Sequence, residues 1–112
     1  MSKFDEALEK YTAEMKKLKI AVDADLLRAV TKACGPSIYN RDASTVSSGD
    51  PKELETVKKN FLIKKLGLKD SPKLDESIKE VVDTFGSSHK NKYRAIFYYL
   101  LVVKHKKKSM FK

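Results

Sequence analysis

Asp50-Pro51-Lys52-Glu53-Leu54-Glu55-Thr56-Val57-Lys58-Lys59-Asn60-Phe61-Leu62-Ile63-Lys64-Lys65-Leu66-Gly67-Leu68 carries the signals for both ends of a helix. Asp50 supplies an N-cap acceptor, Pro51 takes the first helical position, where no N–H is needed, and Glu53 stands at the capping-box position three residues after the cap. Leu54, Val57, Phe61, Leu62 and Leu66 make one apolar face. Gly67 tolerates a left-handed conformation and Leu68 can touch Ile63, which is a Schellman ending. The stretch predicts a helix over 51–66.

Towards the N-terminus, Asp23 caps a second helix over 24–34, with Val22 and Leu27 in the staple positions and Gly35-Pro36 as its stop. Before it, Phe4, Leu8, Tyr11, Met15 and Leu18 alternate by four and three, the stripe of an amphipathic helix over 3–18. Towards the C-terminus, Leu74, Ile78, Val81, Val82 and Phe85 mark a helix over 72–85 that ends at Gly86. A last helix over 89–106 is apolar on all sides between Ala95 and Val103, so it belongs at the centre of a bundle or at an interface. No strand-period run competes. The fold class is therefore all-α, a compact bundle of about five helices without a sheet. The expected core is Phe4, Leu8, Tyr11, Leu26, Leu27, Val30, Leu54, Val57, Phe61, Leu62, Leu66, Leu74, Ile78, Val81, Phe85, Ile96, Phe97, Leu100 and Leu101.

Pro36 to Gly49 is a long connection for a small domain, and a helical turn near Asp42 to Ser47 would shorten it. Lys16-Lys17-Leu18-Lys19-Ile20 echoes Lys64-Lys65-Leu66-Gly67-Leu68, and Leu26 and Val30 match Leu74 and Ile78 at the same offset. Two related helical hairpins would explain the echo; chance would also.

The 112 residues suit one domain, and 41% hydrophobic with 35% charged residues suits a packed interior. Of the net charge of +9, residues 1–88 hold +1 and residues 89–112, which contain no acid, hold +8. A basic extension is expected from about Lys104. The single Cys34 forbids an intramolecular disulfide and suits a reducing cytoplasm, while the nine-residue apolar run from Ala95 to Val103 is too short to span a bilayer.

Gly35-Pro36-Ser37-Ile38-Tyr39-Asn40-Arg41-Asp42-Ala43-Ser44, Asp50-Pro51 with Leu54 through Leu68, and Lys92-Tyr93-Arg94-Ala95-Ile96-Phe97-Tyr98-Tyr99-Leu100-Leu101 together resemble a small bacterial family, domain of unknown function 2853. The resemblance covers nearly the whole chain. It implies a compact helical fold and a bacterial source, and it brings no activity, cofactor or catalytic residue.

The residues themselves point to no chemistry. No phosphate-binding glycine loop, zinc motif, calcium loop or nucleophile elbow is present, so no catalytic residue, metal or cofactor is expected. His89 and His105 read as solvent-exposed, and Cys34, at a helix C-terminus whose dipole disfavours thiolate, reads as a small buried hydrophobe. Three surfaces remain. Lys104, Lys106, Lys107, Lys108 and Lys112 either stabilise a solvated helix end or bind nucleic acid or another polyanion without reading sequence. Ser37, Tyr39, Asn40, Arg41 and Asp42 either form a ligand loop, even an enzyme site, or satisfy one another in turns. Tyr98, Tyr99 and Val102 either lie buried or make a symmetric homodimer. The leading expectation is a non-enzymatic binding or interaction module with a protein partner, and polyanion binding is the alternative.

Overall fold

The computed structural model describes residues 3–39, 45–46, 50–85 and 92–110. Among these, the chain forms five helices: α1 (Lys3–Lys17), α2 (Ala24–Cys34), α3 (Pro51–Val57), α4 (Pro72–Phe85) and α5 (Arg94–Lys104). The all-α class holds. Helix starts follow the local chemistry: Leu26 N–H donates to Asp23 Oδ1 at 3.2 Å, and Lys52 N–H donates to Asp50 Oδ1 at 3.0 Å.

Three boundaries differ from the sequence expectation. First, α3 continues past Val57 as a π-helical segment, Lys58–Ile63, in which Lys64 N–H reaches Lys59 O at 3.1 Å and Leu66 N–H reaches Phe61 O at 2.9 Å. Each bond spans five residues instead of four, and the wider turn leaves Phe61, Leu62 and Leu66 all buried. Second, a 3₁₀ segment, Gly35–Tyr39, follows α2 directly, and of the range 42–47 where a helical turn is expected only Thr45–Val46 is described, and it is extended. Third, α5 starts at Arg94 because Lys92–Tyr93 pairs antiparallel with Thr45–Val46, in the register Thr45 with Tyr93 and Val46 with Lys92. This two-residue ladder corrects the expectation of no sheet; fully buried Val46 anchors it. Residues 42–44 and 47–49 of the connection, and 89–91, lie outside the described residues.

One apolar cluster joins all five helices. α5 is its axis, with Ala95, Ile96, Phe97, Tyr99, Leu101 and Val102 buried and α1, α2 and α4 packed around it. That is what its all-round apolar sequence demands. Phe4, Leu8, Leu54 and Leu100 are only half-buried, and Met15, Ile38 and Val46 complete the interior. The Phe85 side chain lies outside the described part. The buried side chains of Thr31 and Ser77 donate to the carbonyls of Leu27 and Lys73 one turn back.

The sequence echo falls on matched geometry. Lys19 has φ 60° and Gly67 has φ 70°, and the next helices begin at Ala24 and Pro72, the same interval further on. Ile20 N–H donates to Met15 O at 2.9 Å, the Schellman bond, whereas Leu68 N–H reaches back to Leu62 O at 3.0 Å, one residue further because the preceding turns are π-helical.

Candidate functional site

A cleft of about 350 Å³ opens between α2, the π segment of α3 and the start of α5. Ala33 and Cys34 line it from α2; Asn60, Phe61 and Lys65 from α3; Arg94 and Tyr98 from α5. The π segment explains how α3 contributes both Asn60 and Lys65. At the α-helical 100° per residue, positions five apart would point about 140° away from each other. Bonds spanning five residues, from Lys59 to Lys64 and from Phe61 to Leu66, bring 60 and 65 to one side.

Arg94 is the fixed centre of the cleft. Its Nη2 donates to Glu53 Oε1 at 2.6 Å and its Nη1 to Tyr98 Oη at 2.9 Å, with only 15% of its side chain exposed. Glu53, expected to close a capping box at the start of α3, is thus committed to α5. The Tyr98 ring stacks on Phe61 with centroids 3.9 Å apart and planes 11° from parallel. Burial pushes the Cys34 thiol up to about 11, against the opposing pull of Arg94, and burial also raises the Tyr98 phenol. Both groups are neutral near pH 7. Among the described residues, the cleft is an apolar hollow with two cations, a carboxamide and no carboxylate on its walls.

The sequence-derived candidates fare differently. Lys104 pairs with Glu80, so it is not an open cation. Beyond it, Lys106 N–H donates to Val103 O and Lys107 N–H to Val102 O, closing a Schellman turn with Lys106 at φ 56°, and Lys108–Met110 adds a 3₁₀ turn. Lys106 and Lys108 are exposed and Lys107 is half-buried. Lys112 lies outside the described residues. His105 is half-buried, with Nε2 buried and unpartnered, and burial followed by the charges of Lys104 and Lys107 lowers its pKa; the expectation of an exposed ring is corrected. His89 lies outside the described residues.

In the expected ligand loop, Ser37 contributes backbone to the 3₁₀ segment and Tyr39 ends it, half exposed. Asn40, Arg41 and Asp42 lie outside the described residues. The three residues expected either to lie buried or to make a homodimer are placed as follows. Tyr99 and Val102 are interior because α5 is covered on several sides, and Tyr98 is spent on Phe61 and Arg94.

A larger hollow of about 620 Å³ lies between α3 and α4 over Leu54, Ile78 and Val82. Lys58 at its rim bonds Asp70 at 2.9 Å and Asp75 at 3.3 Å, and Glu55 takes Lys59 at 3.1 Å. Three of its rim charges, Glu55, Lys58 and Asp75, are paired in this way. Among the described residues no group of His, Cys, Asp and Glu is placed to hold a metal ion, and no helix is long and apolar enough to cross a membrane.

Residues 10–109 match a family described as "Protein of unknown function (DUF2853)". No curated protein matches the chain.

Proposed function

Since the chain belongs to the DUF2853 family, which brings no activity with it, we propose from its own geometry that it is a non-enzymatic binding module whose working site is the cleft between α2, α3 and α5. One observation carries this: Arg94, clamped by Glu53 and Tyr98, sits in an apolar hollow that also displays Asn60 and Lys65. Mostly apolar walls with a few placed polar groups suit a small organic ligand. A buried thiol that stays protonated is a poor nucleophile, which favours binding over covalent chemistry. The single cysteine fits residence in the cytoplasm of a bacterium. A fragment screen on 15N-labelled protein tests the reading. Ligand-induced shifts should cluster on Cys34, Asn60, Lys65 and Tyr98; shifts that consistently map elsewhere would remove it.

A second reading, polyanion binding, is supported by the C-terminal turn. The Schellman closure holds exposed Lys106 and Lys108 beyond the end of α5, in a part of the sequence that contains no acid. Three neutralised phosphates would give a slope of log K against log salt of roughly −2 to −3 on double-stranded DNA. Replacing Lys106, Lys107 and Lys108 by Gln should abolish binding at low salt. Binding unchanged by that replacement would place any polyanion site elsewhere.

A further inference from the structure

The cleft has more specific chemistry than "small ligand", and we infer that it takes a small organic carboxylate with a flat apolar body, one ring in size. This rests on the reading of the cleft as the working site. Its volume of about 350 Å³ is near the lower end for ligand pockets and ample for a ligand of one ring. The walls divide by chemistry. Ala33, Cys34 and Phe61 offer apolar surface, and the Phe61–Tyr98 stack fixes one wall as a rigid plate, since two rings 3.9 Å apart hold each other's rotamers.

The polar side of the cleft calls for negative charge. Lys65, exposed at the rim, adds a cation that no acid among the described residues offsets, and Arg94 adds a second, partly compensated from behind by Glu53. Asn60 beside Lys65 supplies a neutral N–H donor. An ammonium and a carboxamide can serve the two oxygens of a carboxylate. A dianion such as phosphate would lose more hydration than these two rim groups return, and it would leave the apolar walls unused. Among the described residues, no wall residue is negative at neutral pH to oppose the anion.

The test pairs each acid with its neutral twin. Benzoate and phenylacetate are titrated into the full chain beside benzamide and phenylacetamide, with inorganic phosphate as a third arm, read by 15N shifts and at 20 and 300 mM NaCl. The expected result is saturable shifts at Asn60 and Lys65 with the acids, at least tenfold weaker binding of the amides, and weakening of the acids by salt. Lys65→Gln, at an exposed position, should keep the fold and weaken benzoate about fivefold to tenfold while leaving benzamide unchanged. Amides that bind as tightly as the acids would overturn the carboxylate assignment and leave the cleft as a neutral-ligand site. Phosphate binding as well as benzoate would overturn the requirement for an apolar body. No shift in the cleft with any of the five compounds would overturn both this inference and the reading beneath it.

Discussion

The phenol of Tyr99 donates to the Ala21 carbonyl at 3.0 Å, tying the middle of α5 to the connection between α1 and α2. The same oxygen accepts from Asp23 N–H at 2.9 Å, so one hydroxyl satisfies two backbone groups at the start of α2. Tyr99→Phe removes both bonds and keeps the ring. The unpaired carbonyl and amide should cost about 1–3 kcal/mol in urea unfolding followed by circular dichroism. A loss below a few tenths would show that water replaces the phenol.

The Arg94–Glu53 pair should matter more than its neighbour on the same helix. Arg94 and Glu53 keep 15% and 29% of their side chains exposed, whereas Lys59 and Glu55 keep 66% and 60%. Glu53→Ala leaves a half-buried guanidinium without its carboxylate and should destabilise by roughly 2–3 kcal/mol, while Glu55→Ala should stay within about 0.5 kcal/mol. Raising NaCl to 0.5 M should erase the Glu55 effect and leave most of the Glu53 effect. Equal effects of the two substitutions would contradict the burial that distinguishes them.

Alkali should unfold the protein in a defined order. Burial holds the Cys34 thiol up to about 11 and the Tyr11 phenol up to about 12, the latter helped by the neighbouring Cys34, Tyr93 and Tyr39. In the unfolded chain the thiol ionises from about pH 9 and the phenol from about pH 10. Each proton is then released by the unfolded state and kept by the folded one, so stability is fully present below these values and falls as pH rises through 9–11 and then 10–12. The Cys34 contribution is on the order of 2–3 kcal/mol. Cys34→Ala should therefore lose less stability between pH 8 and pH 11 than the parent, by about that amount. Parallel pH profiles for the two would show that the thiol is not held protonated.

Much of the fold was legible because helix ends are local. Asp23, Asp50, Gly35 and Gly67 act within a few residues of themselves, and each stands where its chemistry requires. The all-round apolar run of α5 likewise pointed to a helix at the centre of the bundle or at an interface, and the first is what the fold shows. What stayed hidden depends on distant partners. Glu53 has ideal capping-box spacing, yet Arg94, forty-one residues on, takes its carboxylate. At 100° per residue Asn60 and Lys65 stand on different faces, and nothing in Lys58 to Ile63 signals the π turn that unites them. The cleft is therefore invisible in the sequence, although Cys34 and Tyr98 each stand out there alone. The turn that ends α5 is not legible because no glycine marks a C-cap there; Lys106 fills the left-handed position instead.

Lys19 and Gly67 occupy equivalent left-handed positions at the ends of α1 and α3, and the difference between them predicts opposite responses to substitution. A β-carbon in this conformation costs on the order of 1 kcal/mol, which Lys19 bears and Gly67 avoids. A Cβ built on Gly67 would meet nothing within 4 Å, so strain of the backbone is the only penalty there. Gly67→Ala should destabilise by about 1 kcal/mol with no loss of helix content. Lys19→Gly relieves the strain, but the unfolded chain gains freedom worth part of the benefit, leaving a net stabilisation of about 0.5 kcal/mol. It also removes one cation from a sequence of net charge +9, which helps in the same direction. Lys106→Gly follows the same arithmetic at the end of α5. Thermal melts of the three variants decide the matter: destabilisation by Lys19→Gly would mean that its side chain contributes a contact outweighing the strain, and a neutral Gly67→Ala would mean that the turn after α3 relaxes out of the left-handed region.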